Sequence, residues 1–272
     1  MAISEKIELL GKGLYKDIPD TLTLTSIPTA SELDYVGGED FEKTMIDIIL
    51  PKAVQESIDF NQLLEIDFQW LCRCLRILNY GPFHTTNAIF CDQCNSTSYG
   101  EYQVNLQTIG CKPLPEGFTN DIVIKKTEFI DFKGDVHVQL PTIQKMRNSE
   151  KDKAFQNSNG KVNRELARIC YMITSIGGKK DLTPIEIKMK ICNEFSAADY
   201  VILRDTVREL TDYGLRAGGS CQCPKCGNMS AAFIALMDDK FFRPTVGNLR
   251  EWKHSRSSGS GENLSPDKAA IV

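Results

Sequence analysis

Two cysteine pairs that lie far apart in the sequence have the residue type and spacing needed to bind a metal ion. Cys91 and Cys94 form one Cys-x-x-Cys pair, and Cys223 and Cys226 form a second pair that is followed by Gly227. Each spacing places two thiols on a tight turn, and the glycine permits a positive φ where backbone passes close to an ion. Two such turns facing each other supply the four thiolates that tetrahedral Zn²⁺ takes at about 2.3 Å each. The sequence therefore predicts a closed, structural zinc site.

The remaining cysteines are weaker candidates for ligands. Cys221 lies two residues before Cys223 and is an alternative ligand, although the glycine after Cys226 favours Cys223. The others are predicted to be buried thiols that act as small apolar side chains, namely Cys72, Cys74, Cys111, Cys170 and Cys192. The competing interpretation of the two pairs is that they are also unpaired thiols of this kind.

The composition is that of an ordinary globular protein and limits the functions that the chain can have. The chain has 272 residues, of which 42% are hydrophobic and 25% charged, with a net charge of −4. The negative net charge argues against a protein whose main role is to bind nucleic-acid phosphates, so nucleic acid is not the expected partner. No signal peptide or run of about 20 apolar residues is visible, so a membrane partner is not expected either. Ten cysteines without an export signal favour metal binding in the cytoplasm over disulfides.

The hydrophobic pattern predicts an α+β fold in which a zinc-ribbon-like β module is interrupted by a helical insert and preceded by amphipathic helices. The predicted parts are an extended N-terminal arm (1–40), a helical segment (41–82), the first half of the β module (83–141), the helical insert (142–216), its second half (217–252) and a disordered tail (253–272).

Several local signals place elements within these parts. Apolar residues at three- and four-residue steps predict a helix over 60–78, which Gly81 and Pro82 would end. Alternation predicts a strand over 101–109 and a hairpin formed by 121–126 and 136–140. A second helix is predicted over 163–176. Further helices are expected to begin after Thr183 and after Ser196, each of which precedes an acidic residue at the third helical position.

Three charged residues fall within the helix predicted at 60–78. Asp67, Arg73 and Arg76 are expected to form a structural ion pair or a solvated face rather than to contact a partner protein.

Catalysis is not expected. The predicted zinc site is filled by four thiolates, whereas a catalytic metal needs an open position. The only histidines are His84, His137 and His254, and none forms a metal-binding pair by spacing. His84 lies near the first cysteine pair and is an alternative ligand, although a surface role is the expected one. The chain is therefore predicted not to be an enzyme and to have no small-molecule substrate.

The helix and the cysteine pairs together resemble a known family, the baseplate hub and hub-assembly proteins of T-even-type tailed phages. The similar residues are Ser57-Ile58-Asp59, then the run Leu63-Leu64-Glu65-Ile66-Asp67-Phe68-Gln69-Trp70-Leu71, then Leu75-Arg76, then Ile89-Phe90-Cys91-Asp92-Gln93-Cys94, and finally Cys223-Pro224-Lys225-Cys226-Gly227 with Phe241-Phe242. The resemblance covers roughly residues 42–112 and 220–244. It departs from the family at Cys72 and Cys74, where the usual helix has small or aliphatic residues.

The resemblance implies a non-enzymatic component or assembly chaperone of the central tail hub. Its partners would be other tail and baseplate subunits and copies of itself, in the host cytoplasm during assembly and in the virion tail baseplate. Two alternatives follow from the cysteine pairs alone. One is a nucleic-acid-binding zinc-ribbon accessory protein, for which basic pairs such as Lys125-Lys126 and Lys179-Lys180 give some support. The other is a rubredoxin-like iron electron carrier.

Overall fold

The computed structural model describes residues 3–27, 41–157, 159–216, 218–234 and 239–242. The chain mixes helices and antiparallel sheets, as the predicted α+β class requires. It divides into two compact units. The first unit comprises Met1–Phe60, Ile66–Pro113 and Gly214–Val272, and the second comprises Asn61–Glu65 and Leu114–Tyr213. The predicted disordered tail, 253–272, and part of the predicted arm, 28–40, lie outside the described residues.

The α-helices are α1 (Phe41–Thr44), α2 (Leu50–Ala53), α3 (Glu65–Tyr80), α4 (Ile143–Lys151), α5 (Arg164–Met172), α6 (Pro184–Glu194), α7 (Ala197–Thr211) and α8 (Asp239–Phe242). A π-helical turn at Met45–Ile49 joins α1 to α2, and 3-10 turns occur at Phe60–Gln62, Leu106–Thr108 and Lys153–Phe155. Among the described residues, no helix is both long enough and apolar enough to cross a lipid bilayer.

The strands are β1 (Ser4–Glu8), β2 (Thr21–Thr25), β3 (Phe83–Cys91), β4 (Ser96–Asn105), β5 (Cys111–Lys112), β6 (Ile122–Ile124), β7 (Val136–Val138), β8 (Ile173–Ile176), β9 (Lys179–Lys180), β10 (Gly214–Leu215), β11 (Gly218–Gln222) and β12 (Met229–Phe233).

The N-terminal segment is a folded hairpin, so the prediction of an extended arm is wrong for residues 3–27. Strands β1 and β2 pair antiparallel, with Ile7 opposite Leu22. Both side chains are fully buried, as is Leu24. The short alternating pattern of β2 forms a stable strand because β1 pairs with it and contributes buried apolar side chains to the same face.

Helix α3 is the core of the first unit and confirms the helix predicted from the sequence, although its start differs. Leu71 and Leu75 on its apolar stripe are fully buried. Gly81 ends the helix with φ +79° and donates its N–H to the carbonyl of Ile77 at 2.8 Å. The helix begins at Glu65 instead of residue 60, because residues 60–62 form a separate 3-10 turn.

The charged residues of α3 are buried, so the expectation of an ion pair or a solvated face is wrong. Arg76 is fully buried and donates to the carbonyls of Gly81, Phe83 and Phe241 at 2.7, 2.9 and 2.7 Å. A guanidinium has several N–H groups in a fixed plane, which suits it to collect carbonyls from separate segments. Arg76 thereby fixes the start of β3 and the C-terminal α8 to one point of the helix.

Arg73 and Asp67 extend the same principle along α3. Arg73 donates to the carbonyls of Leu106 and Gln107 at 2.9 and 3.2 Å, just after β4 ends. Asp67 accepts N–H groups from Leu10 and Gly11 and the hydroxyl of Tyr15, which follow β1. The three charged residues hydrogen-bond to irregular backbone segments and do not pair with each other. They therefore hold loops against the helix.

The second unit contains its own sheet, and this corrects the predicted boundaries. The predicted hairpin is present as β6 and β7, but β7 also pairs with β8, which gives a four-stranded sheet of order β6-β7-β8-β9. The hairpin therefore belongs with the insert instead of with the first half of the β module at 83–141. The insert begins at Leu114 and is not purely helical, contrary to the prediction for 142–216.

The helix predicted at 163–176 ends early for a local reason. Helix α5 stops at Met172, and Ile173–Ile176 continue as β8. Ile173, Thr174 and Ile176 are β-branched, a side-chain shape that favours strands over helices.

The helix starts predicted in the insert are confirmed. Thr183 with Glu186 and Ser196 with Asp199 form capping boxes at the starts of α6 and α7. Asp199 is fully buried and also accepts the N–H groups of the loop at residues 130–132. A single carboxylate thus caps a helix and fixes a loop.

Strands β5 and β10 mark the point where the chain leaves and re-enters the first unit. Gly214 lies opposite Lys112, and Leu215 lies opposite Cys111. Gly214 has φ +95°, and a Cβ atom there would lie 3.0 Å from the side chain of Ile66. Only glycine suits both the backbone conformation and the close approach to α3.

The buried carboxyl of Asp67 generates a pH-dependent prediction. Burial raises its pKa to about 6 from an ordinary 3.8, against hydrogen bonds from Tyr15, Gly11 and Leu10 that lower it. The folded state then holds the proton more tightly than the unfolded state between pH 4 and pH 6, so this stabilisation is lost as pH rises through that window. We expect the stability advantage of the wild type over Asp67→Asn to shrink between pH 4 and pH 7 by about 2 kcal/mol.

Urea unfolding of both proteins at several pH values measures this difference. Because both proteins contain the same cysteines and the same Asp199, the pH dependence of those groups cancels in the comparison. If the difference in unfolding free energy between the two proteins does not change with pH, the raised pKa of Asp67 is wrong.

Candidate metal centre

A four-stranded antiparallel sheet in the first unit brings the two cysteine pairs together. Its order is β11-β12-β3-β4, so it consists of two hairpins placed side by side. The central strands β12 and β3 are antiparallel, with Ala231 opposite Phe90. Strand β3 runs into the first cysteine pair and β12 runs away from the second pair. Both turns therefore lie at the same end of the sheet.

The four predicted sulfurs meet at that end. The Sγ atoms of Cys91, Cys94, Cys223 and Cys226 all lie within 4.8 Å of one another, an arrangement that could hold a metal ion. The Sγ atoms of Cys91 and Cys226 are 3.7 Å apart. A tetrahedral ion with sulfurs at 2.3 Å requires sulfur–sulfur distances of about 3.8 Å. A disulfide requires about 2.05 Å, so the spacing matches shared coordination and not a covalent bridge.

Each turn has the backbone geometry that aims two sulfurs inwards. Gly227 has φ +74°, as predicted, and its N–H binds the carbonyl of Cys223 at 2.8 Å. The N–H of Cys223 binds the carbonyl of Asn228 at 2.8 Å, which closes the second turn. Asn95 takes the corresponding position in the first turn with φ +45°. Asparagine is among the few residues that adopt this conformation readily.

Hydrogen bonds to sulfur prepare two of the cysteines to be thiolates. The hydroxyl of Ser230 and the N–H of Cys94 lower the pKa of Cys91 to about 6. The backbone N–H groups of Lys225 and Cys226 lower the pKa of Cys223. By contrast, the hydrogen bond with Cys226 raises the pKa of Cys94 to about 12.

Hydrogen bonding among the four sulfurs is the main cause of this split in pKa, and burial and charge repulsion add to it. Several negative sulfurs at van der Waals distance repel one another, so the last proton is retained by the group. A divalent cation at the centre removes that repulsion. The chemistry of the donor set therefore fits a metal ion that favours thiolate, such as Zn²⁺.

Cys221 is not among the four converging sulfurs, which include Cys223. It lies on β11 opposite Ser230, and burial raises its pKa. Most of the other cysteines are buried, as predicted, and burial raises the pKa of Cys74, Cys111 and Cys170. Cys192 is exposed, so the prediction that it is a buried apolar side chain is wrong.

None of the histidines joins the cluster among the described residues. His84 lies near the opposite end of β3, half-buried, with its ring 5.6 Å from that of Phe241. His137 contacts Asp121 in the second unit, with Nδ1 and Oδ1 3.1 Å apart. His254 lies outside the described residues.

Two residues that position the cluster were missed by the sequence analysis. Ser230, a buried residue of β12, forms a hydrogen bond with the Cys91 sulfur through its hydroxyl. Gly219 lies where β11 passes over the buried Val104, and a Cβ atom there would lie 2.2 Å from Cγ1 of that valine. The glycine pair Gly218-Gly219 was the available signal, since glycine within a strand often marks a close backbone approach.

A scan of the sequence against protein-family models found no match. Searches of curated proteins and of solved structures also found no match. The resemblance to baseplate hub proteins stays a prediction.

Because β11 lies so close to Val104, alanine at Gly219 should destabilise the fold more than alanine at the neighbouring Gly218. Gly219→Ala should lower the free energy of unfolding by about 2 kcal/mol, because the stiff, buried valine cannot move aside. Gly218→Ala is the matched control, since its nearest atom, the Ala232 carbonyl oxygen, would be 3.6 Å away. Chemical denaturation of the two variants measures the difference. Equal stability of the two variants would disprove the close approach.

The cluster predicts that each chain binds a single zinc ion. Elemental analysis of purified protein should find zinc in equal molar amount to chain, and Cys91→Ser or Cys226→Ser should abolish tight binding, since three thiolates leave the tetrahedron incomplete. Cys221→Ser is the matched control and should retain the metal. Iron in a coloured protein would instead support the rubredoxin-like alternative. Full zinc content in the Cys226→Ser variant would overturn the ligand set.

Proposed function

We propose that the protein is a non-enzymatic structural or assembly component of a bacteriophage tail baseplate, at the central hub. Zn²⁺ bound by Cys91, Cys94, Cys223 and Cys226 stabilises it, in a module of the zinc-ribbon type. It works through contacts with other tail subunits and with copies of itself. On this proposal it assembles in the host cytoplasm and belongs to the virion tail baseplate.

The observation that carries the proposal is the convergence of four thiols from two remote segments. The hairpins that bear them are joined by the pairing of Ala231 with Phe90, a much shorter ladder than the one within either hairpin. An ion at the turns would join the hairpins where backbone hydrogen bonds are few. Its binding free energy would then contribute directly to folding.

A filled coordination shell favours a structural role over a catalytic one. Four protein thiolates leave no position for water or substrate, whereas catalytic zinc sites keep one open. Zinc in this setting would fix the geometry of a surface. Proteins of multi-subunit assemblies need such fixed surfaces for their contacts.

The residues that resemble the hub family also have structural roles in this chain. Asp67 and Arg76 of α3 bind the loop after β1 and the start of β3. Phe241 and Phe242 are buried, and the Phe241 carbonyl accepts from Arg76. The similar residues thus form one connected scaffold, which supports the proposal that the resemblance reflects a shared architecture.

A nucleic-acid-binding zinc ribbon is the second candidate, and one observation favours it. Phe90 and Tyr99 are exposed on one face of the metal-bearing sheet, where aromatic rings can stack on bases. Charge argues against it. The basic pairs Lys125-Lys126 and Lys179-Lys180 lie in the second unit and not on this sheet.

Co-purification with tail components tests the proposal. We expect the zinc-loaded chain to form a complex with tail proteins encoded beside it, and the Cys223→Ser/Cys226→Ser double variant to lose that complex. Cys221→Ser is the control and should keep it. If the zinc-loaded wild type never joins such a complex, the assembly role is wrong. Oligonucleotide binding that weakens steeply with added salt would favour the second candidate instead.

A further inference from the structure

The four-cysteine centre is open to solvent on one side. Cys226 is exposed and Cys94 is half-buried, whereas Cys91 and Cys223 are buried. A small oxidant in solution therefore meets Cys226 without any change in the fold. Metal coordination keeps cysteines as thiolates, and the thiolate is the form that reacts with peroxides.

A second sulfur lies in contact with that of Cys226 and belongs to the other hairpin. The Sγ atoms of Cys91 and Cys226 are 3.7 Å apart, although the two residues are 135 positions apart in the chain. A disulfide needs its sulfurs at about 2.05 Å, so an approach of roughly 1.7 Å would close the bond. Gly227 follows Cys226, and no atom lies within 4 Å of the place where its Cβ would be, so the turn has room for this movement.

The hairpins that carry these two sulfurs are joined weakly by backbone. Between β12 and β3 the register pairs Ala231 with Phe90, whereas β3 and β4 pair along most of their lengths. A bond between Cys91 and Cys226 would hold the hairpins together at their turns, which is the task of the zinc ion in the proposed function. A bond within either Cys-x-x-Cys pair would not join them.

We propose that the centre is a redox-sensitive cross-link, in which a peroxide oxidises Cys91 and Cys226 to a disulfide and the chain releases its zinc. The inference rests on the proposed zinc-stabilised function and adds a mode of regulation to it. On that proposal the chain assembles in the reducing host cytoplasm, where thiolates persist, and later leaves the cell, where disulfides persist.

The reaction takes two electrons from the chain. The Cys226 thiolate attacks one oxygen of hydrogen peroxide, which breaks the O–O bond, leaves a sulfenic acid on Cys226 and releases hydroxide. The Cys91 thiolate then attacks the Cys226 sulfur, forms the S–S bond and displaces a second hydroxide. Two protons from solvent convert both hydroxides to water. Cys94 and Cys223 remain, and two thiolates do not complete the tetrahedron that zinc requires.

Peroxide titration of the zinc-loaded full chain tests the proposal. We expect the chain to release its zinc, measured with a chromogenic chelator, and to lose two free thiols from the centre. A dithiol reductant with added zinc should reverse both changes, because a disulfide can be reduced whereas a sulfinic acid cannot. Cys221→Ser is the matched control and should behave as the wild type does.

Cys192 provides an internal reference for the dose of peroxide, because it is exposed on α6 and is not one of the four converging cysteines. Zinc that stays bound at doses that fully oxidise Cys192 would overturn the proposal.

Peptide mapping under non-reducing conditions identifies the pairing. Trypsin cleaves after Lys225, which separates the two cysteines of the second turn, and a protease that cleaves before Asp92 separates those of the first. We expect the peptide of Cys91 to be joined to the peptide of Cys226. A disulfide within either turn, or sulfinic acid without a disulfide, would overturn the proposal.

Urea unfolding compares the oxidised chain with the reduced chain from which a chelator has removed the metal. We expect the midpoint of the oxidised chain to be higher by about 2 M urea, because a disulfide that closes so long a loop strongly restricts the unfolded chain. An oxidised chain that unfolds at the same urea concentration as the reduced, metal-free chain would overturn the cross-linking role.

The outcomes separate this inference from the assembly role. A zinc-loaded chain that resists peroxide but joins tail complexes would remove the redox cross-link and leave the proposed function intact. A chain that forms the disulfide but never joins such complexes would support the cross-link and remove the function.

Discussion

The meeting of four thiols at one end of a sheet is the constraint that the metal-bearing hairpins must satisfy. Four thiols meet at the end of the sheet, with two sulfurs 3.7 Å apart. Hydrogen bonds from Ser230 and from turn N–H groups stabilise negative charge on Cys91 and Cys223, but Cys94 retains its proton more strongly than usual. Protein groups alone therefore do not neutralise the cluster. A bound cation would complete it, and it would hold two hairpins together where few backbone hydrogen bonds join them.

The buried charges of α3 solve a different problem for the same unit. Arg73, Arg76 and Asp67 bind irregular backbone at the end of β4, at the start of β3 and after β1. Irregular segments leave N–H and carbonyl groups unpaired, and burial of such groups without partners is costly. A charged side chain with several donors or acceptors satisfies more than one of them. The helix can thus bury loops, which an entirely apolar helix could not.

Sequence patterns predicted the local features of this fold better than the long-range ones. The thiol spacing, the glycine at 227 and the capping boxes after Thr183 and Ser196 depend on neighbouring residues, so they were visible in the sequence. The partner of β7 was not, because β8 lies far along the chain and the choice depends on packing. Strand β11 was also missed, since its glycines reflect contact with Val104 instead of alternation. The burial of Arg76 was missed because one of its carbonyl partners, Phe241, lies 165 residues away along the chain.

The pairing of β5 with β10 places the two ends of the inserted segment side by side, since Pro113 follows Lys112 and Tyr213 precedes Gly214. A stretch of chain whose entry and exit are neighbours demands little of the fold that hosts it. Such a stretch can lengthen, shorten or be exchanged during evolution while the host strands keep their register. Gene fusions and length variants in this lineage would accordingly be expected to concentrate at this junction, leaving the cysteine-bearing hairpins unaltered.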